Sequence, residues 1–215
     1  MTDTPLRILL VDDHPIVRYG FARLLAAEPD FVVCGEAADG RGALAALAAG
    51  PDVAIVDVTL GEASGIDLTR ELKARAPALG VLVISIHDEA LYAERALRAG
   101  ASGYLMKHEA TDQIVKAIRC VADGKLFVSE AMSSRFVRRV AGSGQMSPLA
   151  ALSDRELHVL KLLGRGLGTR AIAEQLHVSI KTVESYRARL KEKMQLRSGA
   201  ELVRYAVRWA ETDDA

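Results

Sequence analysis

A chain of 215 residues that is 50% hydrophobic, 26% charged and 5% aromatic has an ordinary globular make-up and suits two modest domains, which excludes collagen-like, disordered and disulfide-scaffold classes. Its longest apolar stretches, such as 81–86, fall far short of the roughly 18 residues of a membrane span, and no basic segment followed by an apolar one opens the chain, so a cytoplasmic protein with no membrane partner is expected. The formal net charge of zero hides an asymmetry, because residues 1–130 carry 13 basic and 19 acidic side chains and residues 131–215 carry 15 and 9: the acidic half suits chemistry with a cation, the basic half a polyanion.

Over the first 122 residues, short β-branched runs at 7–11, 31–35, 53–56, 81–85 and 103–105 alternate with helical periods at 16–27, 40–49, 65–76, 89–99 and 111–123. Five βα units in succession predict a parallel sheet with helices on both faces. The near-continuous apolar run Val53-Ala-Ile-Val56 fits a strand buried on both sides. Cys34 and Cys120 stand far apart in apolar surroundings, without metal-ligand spacing, and are expected to be reduced, packed thiols. After Gly124 the alternation stops. A short basic piece at 130–140 with helical character leads into Ala141-Gly-Ser-Gly-Gln-Met-Ser-Pro148, the clearest linker in the chain.

Everything beyond Ser153 reads as helix. Ser153-x-x-Glu156 is a capping box opening a helix with Leu157, Leu160 and Leu163 on one side. A second short helix spans 169–176, and after the turn at His177-Val178, Ser179 caps a third with Val183, Tyr186, Leu190 and Met194 inward. Ser198-x-x-Glu201 starts a last helix carrying Leu202, Tyr205, Ala206 and Trp209 in register. Helices joined this tightly suggest a helix-turn-helix.

In an open α/β sheet, ligands collect beyond the carboxyl ends of the strands where the strand order reverses. Asp12 and Asp13 follow the first strand and Asp57 ends the third; with the order 2-1-3-4-5 these strands are neighbours. Two like charges 4 Å apart repel by about 4 kcal/mol at an effective dielectric near 20. Three carboxylates therefore imply a divalent cation, and Mg²⁺ fits because it takes one or two carboxylates and bridges to phosphate oxygens. Ser85 ends the fourth strand and Lys107 follows the fifth, adding a hydroxyl and a cation to a phosphoryl site with a carboxylate as nucleophile. His14, His87 and His108 adjoin this set without metal-ligand spacing and are expected at its rim.

The text Ile8-Leu-Leu-Val-Asp-Asp-His-Pro15, Ala54-Ile-Val-Asp-Val58, Ile84-Ser85 and Gly100-Ala-Ser-Gly-Tyr-Leu-Met-Lys107 resembles the receiver domain of two-component response regulators. The resemblance implies that Asp57 accepts a phosphoryl group from a sensor histidine kinase, and that Asp12, Asp13, Asp57 and the Thr59 carbonyl arrange Mg²⁺. It also implies that Ser85 and Lys107 contact the phosphoryl oxygens, that Tyr104 changes rotamer to report occupancy, and that the last strand and helix provide a dimer face. The loop after the acceptor departs from the frequent Asp-x-x-Met-Pro-Gly by reading Asp57-Val-Thr-Leu-Gly61-Glu62, with spacing to Gly65 retained.

From Arg165 to Arg197 there are eight basic and three acidic residues, so phosphate contacts to a polyanion would supply much of the affinity. Opposite the inward stripe of the third helix lie Lys181, Glu184, Ser185, Ala188 and Lys191, flanked by Arg187 and Arg189. Leu152-Ser-x-Arg155-Glu156, Gly166-Leu-Gly-x-Arg-x-Ile172-Ala173 and Ser179-x-Lys-Thr182-Val183 resemble the LuxR-type (NarL/FixJ) DNA-binding domain. That resemblance implies that Lys181 and Arg187 bind phosphates of double-stranded DNA and that Glu184, Ser185 and Ala188 stand nearest base edges, with Thr182 and Lys191 also among the expected DNA-binding residues. Val203 and Val207 are candidates for a contact between two such domains.

The expected architecture is α/β: a (βα)5 flavodoxin-like receiver with a 2-1-3-4-5 parallel sheet at 1–124, a linker at 125–148, and an all-α four-helix LuxR-type helix-turn-helix domain at 149–215. The expected function is a transcriptional regulator that forms a homodimer on phosphorylation and catalyses no more than its own phosphorylation and dephosphorylation. Two alternatives are an aspartyl-phosphate phosphotransferase or phosphatase and a signalling adaptor without DNA binding; Thr59, two residues beyond Asp57, is not the acid such a hydrolase needs.

Overall fold

The computed structural model describes residues 4–61, 63–86, 89–134, 149 and 152–213. The chain divides into two compact units, Met1–Ser143 and Gly144–Ala215. In the first, five parallel strands form one sheet: β1 (Leu6–Val11), β2 (Phe31–Ala37), β3 (Val53–Asp57), β6 (Gly80–Ser85) and β7 (Gly103–Met106), ordered β2-β1-β3-β6-β7. Two two-residue strands, β4 (Thr59–Leu60) and β5 (Ala63–Ser64), pair antiparallel just after β3. With that hairpin set aside, the order is the expected 2-1-3-4-5.

Burial follows strand position. Every residue of the central strands β3 and β6 is buried, whereas the edge strand β2 is buried only at its two ends. Alternate residues of β1 face opposite sides. Ile8 and Leu10 join a core with Phe21 and Leu25 of α1 (Pro15–Leu25) and with Ile114 and Ile118 of α5 (Ala110–Ala122). On the other side, α2 (Gly40–Ala46), α3 (Gly65–Arg75) and α4 (Glu89–Arg98) pack on β1, β3 and β7. Cys34 and Cys120 are free and half-buried.

Residues 125–132, the start of the expected 125–148 linker, continue the first unit. The Phe127 N–H donates to the Ser102 carbonyl at 3.0 Å, and the Phe127 carbonyl accepts from the Tyr104 N–H at 2.9 Å, so this segment satisfies backbone groups along the free edge of β7. Ser129 then donates through its backbone N–H and its hydroxyl to the Glu89 carboxylate, and Met132 is buried. Composition did not reveal this, because the segment packs through backbone pairing, a half-buried Phe127 against the core and a buried Met132, too few apolar positions to show a period. Residues 135–148, which hold the rest of the basic piece and the Gly/Ser stretch, lie outside the described residues.

The second unit comprises α6 (Asp154–Gly164), α7 (Thr169–Gln175), α8 (Ile180–Lys193) and α9 (Gly199–Asp213). The capping box at Ser153 forms as expected, with its hydroxyl accepting from the Glu156 N–H. The Glu156 carboxylate is 2% exposed and receives both the Ser153 N–H and Lys193 Nζ at 2.7 Å. Burial opposes that charge, but these donors outweigh it and hold the carboxyl below its ordinary range. At Ser198 the box is altered: its hydroxyl caps the Glu201 N–H, while the Glu201 carboxylate accepts from Arg197 instead.

Two burial patterns differ from the sequence reading. Val159 and Leu162 are buried along with Leu157, Leu160 and Leu163, because α6 packs against both α8 and α9 rather than against one neighbour. On α8, Val183 and Leu190 are fully buried, but Tyr186 and Met194 are only half-buried.

Candidate functional site

The parallel register carries the ends of β1, β3, β6 and β7 to one rim, since Val11 pairs with Val56, Asp57 with Ile84, and Ser85 with Met106. The residues following Val11 and Met106, together with Asp57 and Ser85 themselves, therefore converge there. Asp12, Asp57 and Ser85 are buried and Tyr104 is 1% exposed. Lys107 Nζ lies 2.7 Å from Asp12 Oδ2 and 2.8 Å from Asp57 Oδ2, joining residues 95 and 50 positions away in the chain. The Lys107 backbone N–H donates to the Ser85 carbonyl at 2.8 Å, which holds the lysine over the carboxylates.

Each acid is held from the backbone. Asp12 Oδ1 accepts the His14 N–H at 2.8 Å, and Asp13 Oδ2 accepts the Gly61 N–H at 2.9 Å, tying the β1–α1 loop to the loop after β3. Burial pushes the Asp57 carboxyl up to about 6, against the pull of Lys107 and of the Thr59 backbone N–H, with Asp12 adding to the rise. Burial also works against the charge of Lys107, but Asp57 and Asp12 outweigh it and the ammonium is held above its ordinary range. The result is an ion triad of two buried carboxylates sharing one lysine.

Asp12, Asp13, His14 and Asp57 offer ligand atoms that all lie within 4.8 Å of one another. Three of the four are hard oxygen donors, the chemistry that suits Mg²⁺. His14 was expected at the rim, and its side chain is 62% exposed, yet Nδ1 stands 2.8 Å from Asp13 Oδ1 and 3.3 Å from Asp12 Oδ1. An exposed ring gave no periodic signal, and the contact arises from the turn into α1. His108 is exposed, and His87 lies outside the described residues.

In the second unit, Lys181, Glu184, Ser185 and Ala188 are exposed on α8. Their spacing of three and four residues sets them on one face. Ser179 caps α8 by accepting the Thr182 N–H at 3.0 Å, and its hydroxyl also meets Thr182 Oγ1 at 2.8 Å, so Thr182 belongs to the cap. The Ser185 hydroxyl donates to the Lys181 carbonyl. Arg187 is half-buried and donates through Nη1 to Thr169 Oγ1 at 2.8 Å, bracing α7 against α8. Glu184, Arg187, Ala188 and Lys191 line an open cleft of about 210 Å³ with Gly199 and Leu202 of α9. Val203 and Val207 are half-buried. Sequence reading missed the Arg187–Thr169 bond and the Glu156–Lys193 pair because both join residues on different helices.

The sequence matches the family described as the response regulator receiver domain over residues 8–119 and the bacterial regulatory proteins of the luxR family over residues 150–206. The oxygen regulatory protein NreC of Staphylococcus carnosus is 35% identical over 212 residues, spanning 94% of this chain and 97% of the relative. The transcriptional regulatory protein DegU of Brevibacillus brevis is 31% identical, spanning 94% and 93%. Among solved structures, the RcsB response regulator of Salmonella typhimurium superimposes with a TM-score of 0.56 at 26% identity, covering 94% of this chain and 98% of that one. The acidic rim on a five-stranded parallel sheet, joined to a capped helical unit, is thus the build of a transcriptional response regulator. The chain belongs to the NarL/FixJ family of such regulators, with a receiver domain and a luxR-type DNA-binding domain.

Proposed function

We propose that Asp57 is the phosphoacceptor, that a sensor histidine kinase is the donor, and that Asp12, Asp13, Asp57 and the Thr59 carbonyl hold Mg²⁺. The observation that carries this reading is the sharing of Lys107 between the buried carboxylates of Asp12 and Asp57. An Asp57 oxygen attacks phosphorus as the bond from phosphorus to the donor nitrogen breaks, giving an aspartyl phosphate. The ammonium of Lys107 neutralises charge on the transferred oxygens, and Ser85 donates its hydroxyl to one of them. When bound, Mg²⁺ would offset charge on the same oxygens. Tyr104, buried on the adjacent strand, reports occupancy by a change of rotamer.

Acting in the cytoplasm, the phosphorylated protein pairs as a homodimer on double-stranded DNA, with Val203 and Val207 at the contact between luxR-type units. RcsB has been solved as dimers bound to DNA, which supports this reading. Lys181, Arg187 and Lys191 meet phosphates, and Glu184, Ser185 and Ala188 face base edges.

The test is Asp57→Asn. Incubated with acetyl phosphate and Mg²⁺, wild type should gain one phosphoryl group by mass spectrometry and the variant none; a variant that still gains it overturns the assignment. The variant should also melt no lower than wild type. The Asp57 carboxyl is held at about 6, above its ordinary 3.8, so the folded state favours its neutral form. The stability from that preference is fully present below 3.8 and lost as pH rises through 6, so at neutral pH the fold carries an ionised carboxylate against burial, and a neutral amide relieves it.

On the DNA side, Lys181→Ala should weaken binding to all sequences alike and reduce the salt slope by about 1, while Glu184→Ala should change base preference. Binding-site selection with both variants checks this, and an unchanged consensus for Glu184→Ala would remove that residue from base readout.

A further inference from the structure

We propose that Arg18, on the first turn of α1, is a positioning residue that fixes the Asp12–Asp13 peptide for divalent-metal binding; this rests on the phosphoryl-site reading above. Its side chain is 17% exposed. A guanidinium so enclosed is costly to bury unless its donors are engaged. Nη1 donates to the Asp12 backbone carbonyl at 2.6 Å. Nε is buried without a hydrogen-bond partner among the described residues and stands 3.4 Å from Oε2 of Glu36, a long ion pair to a side chain that is 48% exposed, so the Asp12 carbonyl is the short contact. Arg18 also borders a small void of about 10 Å³ shared with Leu10, Asp12, Phe21, Ile55 and Asp57, so it lines the same interior space as both acidic residues.

The other polar groups of Asp12 are already engaged. Its N–H donates to the Ala37 carbonyl at 3.1 Å, Oδ1 accepts from His14, and Oδ2 accepts from Lys107. The carbonyl held by Arg18 belongs to the peptide that joins Asp12 to Asp13. A peptide is planar, so a hydrogen bond to its carbonyl restrains the plane that holds the Cα atoms of both acidic residues and limits how far that peptide can rock. Mg²⁺ demands near-octahedral geometry. A pair of acids on a rocking peptide would meet that demand poorly even with the fold intact. Arg18 thereby does for the first strand's acids what Lys107 does for the carboxylate oxygens, but from the interior and through the backbone.

The experiment compares full-length wild type, Arg18→Met and Arg18→Lys. Mg²⁺ alone is titrated by calorimetry without phosphodonor, and phosphoryl uptake from acetyl phosphate is then followed at low and saturating Mg²⁺. Removing a residue that orients metal ligands typically costs about 10- to 100-fold in metal affinity. Arg18→Met should raise the Mg²⁺ Kd by about 10-fold or more, slow uptake at low Mg²⁺, and recover most of the rate at saturation. Arg18→Lys keeps a charge and an ammonium donor group but not the planar fork, and should show a smaller, severalfold rise. A folded Arg18→Met protein with the wild-type Kd and only a lowered melting temperature would reduce Arg18 to a structural tether and overturn the proposal. Should Arg18→Met fail to fold, an unchanged Kd in Arg18→Lys overturns it and a severalfold rise supports it. Wild type that binds no Mg²⁺ and takes up no phosphoryl group would overturn the reading of the site itself, and this proposal with it.

Discussion

Replacing Lys107 by Met should cut phosphoryl uptake from acetyl phosphate by about 100-fold or more, the loss typical when one preorganised charge or donor is removed from a transition state. The reason lies in the geometry of the triad. Nζ reaches Asp12 at 2.7 Å and Asp57 at 2.8 Å, and both carboxylates are buried. Without the ammonium, the two buried carboxylates lose the side-chain cation that they share. Asp57 already titrates near 6 because burial raises it, and Lys107 is the largest opposing influence. Its loss moves the Asp57 carboxyl further up, so, if Asp57 attacks phosphorus as proposed, less of the attacking carboxylate exists at neutral pH. The uptake rate should therefore fall off at higher pH in Lys107→Met than in wild type. A pH–rate profile measured on both proteins decides this, and superimposable profiles would refute it.

The second large effect is structural. Gly65→Ala should destabilise the first unit by about 3 kcal/mol or more, beyond the usual overpacking cost. A Cβ at Gly65 would stand 1.8 Å from the Asp57 carbonyl oxygen and 2.8 Å from its carbonyl carbon. The Gly65 N–H meanwhile donates to the Val58 carbonyl at 2.8 Å, pinning the start of α3 against the end of β3. Neither side of this contact is a flexible side-chain tip that could yield. The backbone carrying Asp57 must shift, and phosphoryl uptake should fall with the melting temperature. Gly61→Ala is the contrasting case: its φ of +55° makes Ala strained, but the nearest atom to a new Cβ is the Asp13 carboxylate at 4.0 Å. It should cost only about 1 kcal/mol. Urea unfolding of both variants separates crowding from backbone strain, and equal losses would contradict the account.

The sequence carried the local features well. The alternation of β-branched runs and helical periods marked the five main strands and their helices to within a few residues, because period two and period 3.6 are written in which side chains are apolar. Caps were legible for the same reason, since Ser153, Glu156 and Ser179 act on backbone groups two or three residues away. The β4–β5 hairpin escaped notice, as two-residue strands are too short to show alternation. The attachment of 125–132 to the first unit was not legible, because it runs along the free backbone edge of β7, a feature no side-chain pattern reports.

Sequence alone determined the fold class, the separation of an acidic unit from a basic one, and the residue types at the strand ends, because burial and local hydrogen bonding impose their patterns within a few positions. Only tertiary structure decided which of those residues meet. Lys107 reaches Asp12 across 95 positions, Arg18 grips the peptide behind the acids, and Arg187 turns one arm inward to Thr169. Those meetings depend on parallel strands bringing distant loops to one rim and on helices packing face to face, so their distances are properties of the assembled chain and not of any stretch within it.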